Sequence, residues 1–193
     1  ADLVAAADYL RAHSAAPKIL IGHSLGGAAI LAAAGRIPEA AAVVTIGAPA
    51  EPDHVLKLLS TAIPEVQRSG SAKVELAGRA FTIKKQFLDD IAEARLKEAI
   101  GGLRKALLVA HAAFDEIVDI DNASKIFLSA KHPKSFVSLD NADHLLTRRE
   151  DAIYVADLIA AWASRYIGSH GTAPPGQIED GAVTVTENGV GLL

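Results

Sequence analysis

The sequence contains no cysteine and no methionine, a single tryptophan and only three tyrosines. Without cysteine there can be no disulfide, no thiolate metal site and no thiol nucleophile in this chain. The missing methionine extends to the first position, and the chain starts on Asp2-Leu3-Val4-Ala5-Ala6-Ala7, already in helical rhythm. We therefore expect an amino terminus truncated relative to the full protein, so the lack of a signal peptide says little about compartment. A cytoplasmic setting is the default expectation. No window supplies the roughly 18 uncharged apolar residues of a membrane span. There is also no excess of positive charge: 19 Lys and Arg against 23 Asp and Glu give a net charge of −4, with no basic run. That balance leaves no electrostatic footprint for nucleic acid or an anionic membrane.

What is present is apolar. Half of the 193 residues are hydrophobic, enough for one globular domain with a real core and a squeeze for two. The pattern alternates between helix and strand. Leu3, Val4, Ala7 and Leu10 recur at helical spacing, so residues 2–13 are expected to be a helix ended near Pro17. Ile19-Leu20-Ile21 is an apolar strand, the small-residue segment to Pro38 a helix, and Ala42-Val43-Val44-Thr45-Ile46 a second, buried strand. This is a βαβ unit of a parallel sheet, whose ligands bind beyond the carboxyl ends of the strands.

From Glu51 to Gly102 the pattern changes. His54 to Ser60 reads as helical, Val74 to Ile83 as a hairpin turning on Gly78-Arg79, and Gln86 to Ile100 as one helix, together an insertion that acts as a lid or simply as packing. The sheet resumes with Ala106-Leu107-Leu108-Val109-Ala110, a helix over Asn122 to Ala130, the strand Ser135 to Leu139 and a closing helix that ends near Ile167. Residues 1–168 thus form one domain. A linker rich in glycine and proline is expected over 169–181, and 182–193, with Val183-Thr184-Val185, as the start of a second unit.

The chemistry concentrates in Gly22-His23-Ser24-Leu25-Gly26, a Gly-x-Ser-x-Gly pattern set between an apolar strand and a helix of small residues. A serine on such a turn is exposed at the sheet edge and needs neighbours without bulk, which Gly22 and Gly26 are expected to supply along with the strained backbone angles. The turn opens a helix, so the backbone N–H of Leu25 points to where an oxyanion would form. His23 reads as a hydrogen-bonding neighbour.

A nucleophilic serine needs a histidine base and an acid to orient it, in the chain order serine, acid, histidine for this type of elbow. Of seven histidines, His13 ends a helix, His54 lies in the insertion, His170 in the linker and His132 before a strand, at the wrong edge. His144 alone follows a strand and precedes a helix after a suitable acid. Asp115, just past the carboxyl end of the 106–110 strand, is the leading acid. Asp119 and Asp121 are rivals, better suited as the N-cap and first-turn acid of the next helix. Glu51 and Asp53 are more distant options, Asp140 and Asp143 shape the loop of His144, and His111 either lines the pocket or bonds within its loop.

The elbow, the Asp115 segment and Asn141-Ala142-Asp143-His144 together resemble the α/β-hydrolase family. More narrowly, Ile19 to Ile167 is similar to the hydrolase half of bacterial proteins fused to an OsmC-like domain, whose opening strand resembles Val183-Thr184-Val185. The resemblance implies a partial α/β-hydrolase fold: a mostly parallel sheet holding the last four of eight strands, with helices on both faces. It also implies that the second oxyanion donor lies upstream, which would impair this chain, and that the nucleophile strand becomes an apolar edge. His111-Ala112-Ala113 departs from the His-Gly of many relatives. The implied function is a serine hydrolase of carboxylic esters, with Ser24, Asp115 and His144 catalytic and no metal or organic cofactor. Peptidase and thioesterase chemistry use the same groups. A non-catalytic binding or docking module is the competing reading. Expected partners are a small acyl substrate, the fused OsmC-like domain and, as an open option, a second copy of the chain.

Overall fold

Two runs of the chain are apolar at nearly every position, and both become strands buried on both faces. In the computed structural model, which describes residues 2–51, 59–76, 79–92 and 95–168, these are β2 (Ala42–Ile46) and β5 (Ala106–His111), with every residue buried. They are the central pair of a four-stranded parallel sheet flanked by β1 (Ile19–His23) and β6 (Lys134–Ser138), in the order β1-β2-β5-β6. A parallel sheet needs cover on both faces, which is why its inner strands carry no polar alternation.

The side chains divide by parity. Val43, Leu107 and Val109 face a core with Ile30 and Leu31 of α2 (Leu25–Ala33), Leu96 and Ile100 of α5 (Leu96–Gly101), and Ala123 and Ile126 of α6 (Asp121–Ser129). Val44, Ile46, Leu108 and Ala110 face Val155 and Ile159 of α7 (Arg149–Ile167). Helices therefore cover both faces, as the alternation of strand and helix requires. The amino-terminal helix α1 (Asp2–His13) packs through Val4 and Ala7 on Ile37, Ala40 and Leu20. At the sheet edges Ile21 of β1 is 51% exposed and Phe136 of β6 43%. Among the described residues no helix is long and apolar enough to cross a membrane.

Between β2 and β5 the chain builds a separate small body. Its helix α3 (Ile63–Ser69) is followed by an antiparallel hairpin, β3 (Ser71–Leu76) and β4 (Arg79–Lys84), and by α4 (Lys85–Ala92). Leu59, Ala62, Val66, Ala72 and Leu88 form its core. Two sequence expectations change here. Leu76 pairs with Arg79, so Arg79 is the first residue of β4 rather than part of the turn expected at Gly78-Arg79. The helix expected over Gln86 to Ile100 is two helices, because Arg95 leaves the helical region at ψ 64°. Leu88 belongs to the insertion core while Leu96 and Ile100 belong to the sheet core, and one straight rod cannot face both. The helix expected over His54 to Ser60, the linker 169–181 and the segment 182–193 lie wholly or mostly outside the described residues.

Candidate active site

The sheet's ladder runs one step past each strand and so aligns the loops. The Ser24 N–H donates to the Ile46 carbonyl, that of Gly47 to Ala110, and that of Leu139 to His111, at 2.8, 3.0 and 2.8 Å. The turns after β1, β2, β5 and β6 are thereby staggered along one edge.

Ser24 takes φ 52° and ψ −127°, a conformation that L-residues rarely adopt and that costs of order 1–3 kcal/mol. The strain expected at the glycines thus sits on the serine itself. The glycines act through space instead. A Cβ on Gly22 would lie 2.4 Å from the Gly26 carbonyl oxygen, and one on Gly27 2.5 Å from the Ala48 Cβ, whereas a Cβ on Gly26 would meet none of the described residues within 4 Å. Gly22 and Gly27, rather than Gly22 and Gly26, let α2 close on the sheet. Leu25 begins α2, so its N–H has no acceptor within the helix.

His144 and Asp115 converge on that serine. The His144 Nε2 lies 3.0 Å from Ser24 Oγ and its Nδ1 2.7 Å from Asp115 Oδ2. An ionised carboxylate only accepts, so Nδ1 carries the proton and Nε2 is left to accept from the serine hydroxyl. Both side chains are buried, at 5% and 1% exposure. Burial works to raise the Asp115 pKa. It is outweighed by the Val118 and Ile117 N–H groups, which donate to Oδ1 at 2.8 and 2.9 Å, and by His144, so the carboxyl is held below its ordinary range.

Around this chain of bonds stand three groups that position it. Gly47, at φ +54°, backs the pair: a Cβ there would lie 3.2 Å from His144 Nδ1 and 3.3 Å from Asp115 Oδ2. His111 is fully buried, its Nε2–H donates to the Val118 carbonyl at 2.8 Å, and the same nitrogen is 3.6 Å from Asp115 Oδ2. It bonds within the acid loop, one of its two expected roles. His23 donates from Nε2 to the His144 carbonyl at 2.6 Å, with the two rings 4.9 Å apart, and so ties the elbow to the histidine loop as a neighbour.

The rival acids are placed elsewhere. Glu51 pairs with Lys125 at 3.0 Å. Asp119 accepts the Asp121 N–H at 2.8 Å, but the helix cap is Ile120, one residue later than expected, because Asp119 closes its own turn first. Asp121 sits in the first turn of α6. Asp143 accepts the Thr147 N–H and shapes the histidine loop. Asp53 lies outside the described residues. Among the described residues no three His, Asp or Glu side chains cluster as metal ligands would.

Two contributors escaped the sequence reading. Asn122 accepts the Ala50 N–H and donates to the Asp119 carbonyl, joining the loop after β2 to the acid loop. Nothing in its local pattern distinguishes it from an ordinary first-turn residue. Gly47 had a signal, a glycine directly after a buried strand.

No family model and no curated protein matches this sequence. Solved structures do. An esterase domain of a Rhodothermus marinus protein is 50% identical, over 86% of this chain and 69% of that one, with a TM-score of 0.77. Est1E from Butyrivibrio proteoclasticus (16% identity, 84% and 68% coverage, TM-score 0.59) and the α/β hydrolase GrgF from Penicillium sp. sh18 (15%, 86% and 70%, 0.64) share the fold.

Proposed function

We propose that this chain, which belongs to the α/β-hydrolase family, hydrolyses carboxylic esters through an acyl-enzyme formed on Ser24. The observation that carries the reading is the continuous path from Ser24 Oγ through the His144 imidazole to Asp115, at 3.0 and 2.7 Å, on a backbone strained at the serine. The 50% identical relative described as an esterase domain supports the ester class.

In this mechanism Ser24 Oγ attacks the acyl carbon as its proton passes to His144 Nε2. Asp115 stabilises the imidazolium through the Nδ1–H bond without taking the proton. The carbonyl oxygen becomes an oxyanion facing the Leu25 N–H and the positive end of α2. The tetrahedral adduct collapses, the bond from carbon to the leaving oxygen breaks, and His144 gives its proton to that oxygen. Water then attacks the acyl-serine with His144 as base, releasing the acid and restoring the Ser24 hydroxyl. A second oxyanion donor completes the hole in this reading; loss of one such donor costs about 10²–10³ in turnover. Residues 182–193 are assigned to the opening of a fused OsmC-like domain on their resemblance to it.

The test is p-nitrophenyl acetate turnover by the full-length protein beside Ser24→Ala and His144→Ala. Each variant is expected to lose about 10⁴-fold or more in kcat. Equal rates in all three would overturn the reading and leave a binding module.

A further inference from the structure

The turn that buries Asp115 turns its sequence neighbours outward. Phe114 is 78% exposed and Ile117 47%, and across from them Leu145, next to His144, is 54% exposed. The three line one groove of about 480 Å³ between the acid loop and the histidine loop, with His144 in its wall. That volume falls within the usual range of ligand pockets, and large apolar side chains left in water beside a reactive group mark a binding surface. The remaining wall is polar and of one sign. Glu116, Asp140 and Asp143 line it together with Asn141 and Ala142, and among the described residues no lysine or arginine does. Asp143 accepts backbone and side-chain hydrogen bonds from Thr147, which hold its carboxyl below the ordinary range and so keep it charged at neutral pH.

Proton transfer decides which part of an ester lies on this flank. After Ser24 attacks, His144 Nε2–H must reach the leaving oxygen, so the alcohol part sits against His144, while the carbonyl oxygen faces the Leu25 N–H. Leu25 packs on the insertion core and is not among the described residues that line this groove. The oxyanion donor and the groove thus belong to different elements.

Resting on the hydrolase reading above, we propose that the groove of Phe114, Ile117 and Leu145 holds the alcohol part of the ester. Its apolar surface takes aromatic or branched alcohols, and its carboxylates admit neutral or cationic ones and repel anionic ones. Charge complementarity selects this occupant: the walls combine contact area for a ring with a negative potential that a carboxylate-bearing alcohol would meet directly.

Acetate esters with different alcohols test this in the full-length protein, since the acyl group and its hydrolysis from the enzyme stay constant. Phenyl acetate and 4-acetoxybenzoate, which carries a carboxylate, are compared by kcat/KM at low ionic strength, and the ratio is followed across variants so that intrinsic reactivity cancels. In Glu116→Gln/Asp140→Asn the ratio is expected to move about ten-fold toward 4-acetoxybenzoate, and added salt to move it the same way in the parent protein. Phe114→Ala is expected to lower phenyl acetate about ten-fold relative to methyl acetate, while the preference between methyl acetate and methyl butyrate stays fixed. All these side chains are partly or fully exposed, and unchanged melting temperatures check the fold. Unchanged ratios would overturn the proposal, as would a shift in acyl preference, which would give the groove to the acyl part. A change in oligomeric state with unchanged ratios would give it to a second copy and overturn it equally. None of these outcomes touches the hydrolase reading, which the turnover of Ser24→Ala and His144→Ala tests separately.

Discussion

The four-stranded sheet and the insertion between β2 and β5 solve the burial problem in different ways. In the sheet, β2 and β5 are buried at every position and each face has its own helices, so the strand ends are fixed by neighbours on all sides. The insertion closes a small core of Leu59, Ala62, Val66, Ala72 and Leu88 on its own, and reaches the elbow through Leu25. Ser24, Gly47, Asp115 and His144 all hang from the sheet. The difference teaches that the geometry of the site belongs to the parallel strands, while the insertion sets what surrounds it.

The largest effects are expected where the site meets the sheet. Asp115→Asn keeps the shape of the acid loop but favours the wrong imidazole tautomer, and kcat is expected to fall about 10³–10⁴-fold. Gly47→Ala places a methyl group against both His144 and Asp115 at a positive φ. We expect kcat to fall about ten-fold or more with little change in KM, since the interaction lost is one needed only as charge develops.

A matched pair of truncations sharpens the contrast in stability. Leu107→Ala, in the sheet core, is expected to cost about 2–5 kcal/mol in denaturant unfolding. Leu59→Ala removes the same atoms from the insertion. Hydrogen exchange should show the loss confined to residues 59–92 with the sheet amides still protected, and activity should survive. Equal loosening of β2 and β5 by both would erase the distinction.

The acid side of the stability curve gives a smaller signal. The Asp115 pKa is lowered in the folded state, so its contribution is present above the unfolded value of about 3.9 and is lost as pH falls through the depressed folded value. The stability difference between the parent protein and Asp115→Asn should therefore be full at pH 6 and shrink below about pH 4. Smallest of all, Lys85→Ala breaks an exposed pair with Asp89 on α4 and should change stability by about 0.3–0.5 kcal/mol at most.

The sheet was readable because its physics is local and repetitive. An unbroken apolar run such as Ala42 to Ile46, between glycine- and proline-bearing turns, has few outcomes other than an inner parallel strand. That Ser24, Asp115 and His144 meet followed from topology, since parallel strands all end on one side. The insertion was harder, for a stated reason: Leu88 and Leu96 share a helical periodicity but serve two cores, and periodicity carries no record of which core a residue joins. The elbow's strain was assigned to glycine because glycine tolerates it, whereas Ser24 is held there by its ladder bond to Ile46 and the start of α2. Among the described residues nothing crowds Gly26, so the packing demand in the motif falls on Gly22 and on Gly27 beside it. Asn122 was invisible because its partners, Ala50 and Asp119, meet only in three dimensions.

The most direct measurement is covalent labelling of the full-length protein with a fluorophosphonate, followed by peptide mapping. The account predicts one modified residue, Ser24, with labelling abolished in Ser24→Ala and slowed at least about 10³-fold in His144→Ala. Modification at another serine, or undiminished labelling of Ser24→Ala, would contradict it.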